Sequence, residues 1–303
     1  MTLDRIAPAL FVLLWSSGWI APVFGIPHAT AEAFLSARFA LAALAFAVFS
    51  VVSGARWPKT PGEVFHGFMS GFLLHGCYLG GVWWAIFNGV PASVSGVIAA
   101  LQPLMTAALA PILIRERLSV IQVVGLLLGF GGIVLALVPS FRGVDPAVFA
   151  ERLVPIVVNM VAMLGAVFGT LYQKRFVRGG DMRTTAVFQY IGAFGVVGTL
   201  ALFEPHTRFD FSLELFLVLG WSVFALSMGG VALLLYMIRH GQVSRAASLI
   251  YLMPPTVALE SFILLGEPLG PWMIAGTVIV VLGVWLAGRK TGKAEETSVS
   301  GQS

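Results

Sequence analysis

A few side chains able to bind ligands, carry protons or pair ions stand inside stretches otherwise built of Leu, Val, Ala, Phe and Gly. His75 has Tyr78 three residues on and Gly71 four residues before. An imidazole at that depth can titrate or donate a hydrogen bond to a carboxylate, and α-helical spacing places Tyr78 on its face with Gly71 leaving room. The alternative is a neutral histidine bonded to a neighbouring helix. Trp15 and Trp19 flank Ser16 and Ser17. Trp19, like Trp83 and Trp84, fits a headgroup belt, whereas Trp15 and Ser17 lie deeper. There an indole makes a wall for an aromatic or apolar ligand, or a surface for helix packing.

Gln102-Pro103 and Met253-Pro254-Pro255 interrupt two further stretches. Each proline removes a backbone hydrogen bond and bends its helix. The freed carbonyl, near Ala99 or Ile250, can accept from a ligand ammonium or be closed by a neighbour such as Ser95. Ser244, Ser248 and Tyr251 form a polar stripe at helical spacing. Asn159, with Met163 one turn on, and Ser227 are further polar or adaptable groups at mid-depth. Arg38 and Glu260 each lie about 8–10 Å inside the outer face at 1.5 Å per residue. Charges in lipid are commonly paired, so Arg38 and Glu260 are expected to join each other or a shared network; the alternative is that each snorkels outward. Glu116 and Glu267 occupy short turns, where helix capping outweighs a binding role.

The elements that must position these groups are membrane helices. Of 303 residues, 58% are hydrophobic and 11% charged, too little polar surface to cover a soluble domain of this size. Ten stretches reach the roughly 20 residues a span requires: 6–25, 31–52, 63–87, 92–114, 119–138, 153–174, 184–203, 214–238, 243–265 and 269–288. They are long and do not alternate, which excludes barrel strands. The 34 glycines suit close helix approach in lipid. The first stretch has no small-x-small cleavage site and is expected to stay.

Lys and Arg set the orientation. With both termini in the cytoplasm, fourteen fall inside, three (Arg142, Arg152, Arg208) outside, and Arg38 within a span. The net charge of +4 follows from that bias and from attraction to anionic lipid, not from nucleic-acid binding. Cys77 is alone, so no intrachain disulfide forms. No metal-ligating spacing or phosphate loop occurs, so no cofactor is expected and the chain is not an enzyme.

Residues 93–135 reappear at 244–286 with no gap. Ser93, Leu101, Pro103, Ala107, Ile112, Leu113, Glu116, Leu118, Gly125, Gly132 and Leu135 match residues 151 positions later. An internal repeat in a membrane chain marks secondary transporters. Five spans per copy is odd, so the second copy is expected to be inverted: 1–151 against 152–288, with 289–303 a disordered cytoplasmic tail.

Trp15-Ser16-Ser17-Gly18-Trp19, Arg38, Gln102-Pro103, Glu116-Arg117-Leu118, Gly125 and Gly132, repeated as Pro254, Glu267 and Gly276, carry a family resemblance. Over residues 5–288 the chain resembles the drug/metabolite transporter superfamily, in its ten-span EamA type, and within it the aromatic amino-acid exporters. The resemblance implies an all-α basket of two inverted five-helix repeats around a cavity lined by spans 1, 3, 4, 6, 8 and 9. It implies a monomeric permease of a bacterial inner membrane, exporting amino acids or similar metabolites by alternating access. Substrate contacts would come from Trp15, Ser17, His75, Tyr78, Gln102, Asn159, Met163, Ser227, Ser248 and Tyr251, with Pro103, Pro254, Arg38 and Glu260 gating or supporting. Four-span relatives that export cations carry an acid in span 1. This chain has none between Asp4 and Glu32, which argues against cationic drugs coupled that way. Whether protons are exchanged is left open. A sugar, nucleotide-sugar or nucleoside permease is the nearest alternative. A pore would need rings of charge and a membrane enzyme would need paired acids at an interface; neither pattern is visible.

Overall fold

The computed structural model describes residues 2–113, 118–141, 146–177, 179–239 and 249–288. Among them the chain is helical throughout, with one isolated antiparallel bridge between Ala29 and Phe209. Helices α1 (Thr2–Gly25), α2 (Ala31–Val52), α3 (Pro61–Gly71), α4 (Gly80–Phe87), α5 (Ala92–Ile98) and α6 (Leu101–Leu113) come first. They are followed by α7 (Val120–Phe141), α8 (Pro146–Phe176), α9 (Met182–Phe203), α10 (Leu213–Gly220) and α11 (Gly230–Arg239). The last two are α12 (Met253–Leu265) and α13 (Pro271–Ala287). By length and composition seven stretches can cross a membrane, and α12 and α13 are shorter apolar helices.

Two rods are continuous but not uniform. Phe72–Leu79 is a π-helix joining α3 to α4, and Trp221–Gly229 is a π-helix joining α10 to α11. Both lie at the same place in the 151-residue echo. So do the break at Ala99–Ala100 between α5 and α6 and the 3₁₀ turn Leu249–Leu252 before α12. Helix α9 is α2 displaced by 151 residues at both ends. The duplication legible in 43 positions of sequence therefore extends through the local structure of the rods around it.

Equivalent helices run antiparallel. A Cβ on Gly125 would lie 2.7 Å from the Gly283 carbonyl, and one on Gly132 2.8 Å from the Gly276 carbonyl. As α7 advances, α13 recedes. Under the echo Gly125 maps to Gly276 and Gly132 to Gly283, so each contact is the image of the other, which a two-fold relation between the helices requires. Helices α2 and α9 cross likewise: Thr30 N–H donates to the Arg208 carbonyl at one end, and Arg183 Nη1 donates to the Ser53 carbonyl at the other. Small residues permit these approaches because lipid supplies little hydrophobic drive, leaving close van der Waals contact to hold the helices.

The α2–α9 pair is clasped at the Ser53 end by polar groups. Asp181 caps α9 through the Arg183 N–H, binds the Arg183 guanidinium at 2.6 and 2.9 Å, and accepts from the Arg56 N–H at 3.3 Å. The Arg183 hydrogen bond holds the Asp181 carboxyl well below the usual carboxylate range, against a smaller opposing effect of desolvation. A depressed folded value gives stability that is complete above the unfolded value, about 3.9, and is lost as pH falls through the folded one. Asp181→Asn is therefore expected to lower the stability of purified protein by about 1 kcal/mol near neutral pH. The difference should shrink below about pH 4. Thermal unfolding of both proteins across pH measures this; a difference independent of acid removes the Asp181 charge as its cause.

Candidate functional site

One polar group among the helices is built around Arg38. It is 4% exposed, its guanidinium carbon sits 4.5 Å from the Trp83 ring centroid, and Phe34 stacks on Trp83 at 5.3 Å. A desolvated guanidinium over indole gains about 2 kcal/mol. Arg38 Nε and Nη1 are buried without a hydrogen-bond partner. His75 stacks on Tyr190 at 4.6 Å and 10°, beside Phe39 and Phe46. Ser227 donates to the Ser222 carbonyl at 3.0 Å, five residues back along the π-helix.

Three expectations change here. Arg38 and Glu260 do not pair: the guanidinium lies on Trp83, while Glu260 Oε1 lies 2.8 Å from Ser16 Oγ. Trp83 is not a belt residue but fully buried, and Trp19 is also buried at 5% exposure. Aromatic rings can gain more from a cation or a neighbouring ring than from the interface. His75 and Tyr78 do not share a face on an α-helix, because both lie on a π-helix, whose wider turn alters the three-residue register. His75 meets α9, whereas the Tyr78 backbone approaches α8 at Gly165.

A second polar contact joins α8 to α5. Asn159 is fully buried and donates from Nδ2 to Ser95 Oγ at 2.7 Å, leaving Oδ1 without a partner. Met163, one turn on, is fully buried packing. A third lies between α1 and the second π-helix: Trp221 Nε1 donates to Ser17 Oγ at 3.1 Å, and Ser17 donates to the Leu14 carbonyl. Trp15 and Trp221 are 37% and 48% exposed, so an aromatic surface flanks this serine. Gln102 and Pro103 are half-buried on α6, Gln102 beside the break at Ala99–Ala100, and Pro254 is buried at the start of α12. Ser248 and the side chain of Tyr251 lie outside the described residues.

The predicted residues thus form separate contacts rather than one cluster. Sequence reasoning missed Tyr190 and Trp221, the partners of His75 and Ser17, and named Ser95 only as a closure for the freed carbonyl, not as the partner of Asn159. Polar or aromatic character was their only signal, and each lies more than 60 positions from its partner. A crevice of about 560 Å³ opens between α2, the first π-helix with α4, α8 and α9. It is lined by Leu35, Gly76, Gly80, Trp84, Val158 and Val196 among others, and by none of the predicted contact residues. Among the described residues no cluster of His, Cys, Asp or Glu could hold a metal ion.

Comparison with known proteins places this arrangement. A model of the EamA-like transporter family matches residues 6–138 and again 153–289. The chain is 26% identical over 300 residues to an uncharacterized transporter of Archaeoglobus fulgidus, covering 93% of this chain and 97% of that protein. It is 23% identical over 292 residues to a probable amino-acid metabolite efflux pump of Salmonella typhimurium, covering 93% and 94%. A known crystal structure superposes with a TM-score of 0.64 at 18% identity, covering 95% of this chain and 97% of the other, a likeness of fold.

Proposed function

The chain belongs to the EamA-like transporter family, and from that premise we propose that it exports amino acids, aromatic or other apolar ones foremost, or similar small metabolites. It does so as a monomeric secondary transporter of a bacterial inner membrane, with both termini in the cytoplasm. Residues 1–151 and 152–288 act as two inverted five-span repeats around a central cavity, and 289–303 form a cytoplasmic tail. The observation that carries this reading is the paired set of discontinuities. Each half has a π-helical rod and a broken rod at matching places. Discontinuous helices in corresponding positions of inverted halves mark where substrate binds and where the halves rock.

The amino-acid assignment is supported by the side chains beside those discontinuities and by the relative named as an amino-acid metabolite efflux pump. Trp15, Trp221, Tyr78 and Tyr190 supply aromatic surface, while Ser17, Gln102, Asn159 and Ser227 supply a few polar anchors. This is the composition of a small-molecule site. Ser248 and Tyr251 complete the candidate lining, and Pro103 and Pro254 supply the bends.

Accelerated counterflow in liposomes holding the purified protein tests it, with phenylalanine, tryptophan, threonine, methionine, a purine nucleoside and a quaternary ammonium dye. Uptake of labelled phenylalanine is expected to exceed that of protein-free liposomes at least about tenfold, a transition-state difference of about 1.4 kcal/mol. Counterflow by the nucleoside or the dye with none by any amino acid rejects the reading.

A further inference from the structure

The contact between α1 and α12 contains a carboxyl group whose hydrogen bonds and surroundings fit only one of its two charge states. Ser16 is fully buried. Its Oγ lies 2.8 Å from Glu260 Oε1 and 3.1 Å from the Leu13 carbonyl. A serine hydroxyl has one hydrogen to give. If Glu260 is ionised, both oxygens compete for it and one contact is not a hydrogen bond. If Glu260 is protonated, its O–H donates to Ser16 Oγ, Ser16 donates to Leu13, and both contacts are bonds.

The electrostatic surroundings point the same way. The elements packed against α12 are α1, α5, the 3₁₀ turn Leu249–Leu252 and α13. Their titratable residues are Asp4 and Arg5 on α1 and Tyr251 on the turn; α5, α13 and the rest of α12 carry none. Arg5 is about 17 Å along the helix axis from Ser16 at 1.5 Å per residue. Glu260 Oε2 is buried and unpartnered. Among the described residues an ionised carboxylate here has neither a cation nor a second donor, and a buried charge in that state is strongly disfavoured. The Arg38 guanidinium, the partner expected from sequence, is committed to Trp83.

We infer that Glu260 and Ser16 form a proton site whose occupation accompanies the closed α1–α12 contact, so that the carrier exchanges protons for its cargo. The coupling half of this inference rests on the transporter reading above; the proton site itself does not. The carboxylate takes a proton from water when α12 swings away from α1. It carries the proton as the neutral acid while the helices pack together, and releases it to water when they next part on the opposite side. No bond other than O–H forms or breaks.

Two measurements on the purified full-length chain decide it. Infrared spectra of the wild type at neutral pH should show a protonated-carboxyl band that is absent from Glu260→Gln. Ser16→Ala and Glu260→Asp should displace that band. In liposomes loaded with phenylalanine, acidifying the exterior by one pH unit should change its steady-state distribution about tenfold for one-for-one exchange. Glu260→Gln should show a ratio of about one, while Glu260→Asp keeps a response and so guards against misfolding as the cause. Absence of the band from the wild type, or an equal gradient response in the wild type and Glu260→Gln, overturns the inference. The band without any phenylalanine movement supports the proton site and removes the amino-acid reading instead.

Discussion

Gly283→Val is expected to leave no folded protein in detergent extracts, and Gly125→Val to do the same. A Cβ on Gly283 would lie 2.4 Å from the Gly129 backbone nitrogen and 2.7 Å from the Gly125 carbonyl; one on Gly125 would lie 2.4 Å from the Ala287 nitrogen. These neighbours are backbone, which no rotamer change can move aside. Helices α7 and α13 would have to separate along their whole contact. Overpacking by single groups costs about 1–3 kcal/mol where side chains can shift. Separation of two backbones is expected to exceed about 4 kcal/mol, a large part of a typical folded protein's margin. Gly131 is the control, since a Cβ there meets nothing within 4 Å. Gly131→Val is expected to change stability by less than about 1 kcal/mol. Size-exclusion profiles and thermal unfolding of the three variants measure the contrast; similar profiles for all three would reject the close α7–α13 crossing.

Glu267→Ala is expected to destabilise the protein by about 2 kcal/mol, the lower part of the range for hydrogen bonds to a charged group. It should also weaken transport. Glu267 follows Gly266, whose positive φ of 69° ends α12, and its carboxylate accepts from the Ala92 N–H at 2.8 Å, the Ser93 N–H at 3.0 Å and the Ser93 hydroxyl. It thus satisfies donors that the first turn of α5 cannot pair internally and adds charge complementarity to that helix end. The tie spans 174 positions of sequence and joins the two matching segments of the echo. Glu267→Gln, able to accept but uncharged, should lose about half as much. Thermal unfolding and phenylalanine counterflow on the same samples check both effects. A full loss of stability in Glu267→Ala that Glu267→Gln does not partly restore would exclude the cap as its source. The echo assigns Glu116 and Ser244 as the equivalent pair; both lie outside the described residues.

Much of this was legible before any coordinates. Hydropathy marked each helical rod, because apolar length is written in consecutive residues. The glycines of the echo and Glu267 proved to be packing and capping groups: Gly125, Gly132, Gly276 and Gly283 meet backbone, and Glu267 caps a helix. What each polar residue faces was not legible. His75 and Tyr78 were assigned one face because α-helical geometry was assumed. The π-helix that separates them packs against α8 and α9 and has no local signature in the letters 72–79. Arg38 and Glu260 were matched by depth alone, although depth is one coordinate of three; their positions around the helix axes send one to Trp83 and the other to Ser16.

By itself, then, the sequence determined a helical membrane chain with an internal duplication, since both properties reside in composition and order along the chain. Only the tertiary structure decided that equivalent helices meet antiparallel through glycine and that the rods of both halves carry π-helical segments. It alone placed Glu260 beside Ser16, with no cation at hand among the described residues. Those outcomes depend on contacts between residues tens to hundreds of positions apart, and a partner's direction is fixed by the packing of two helices rather than by the residues along either one.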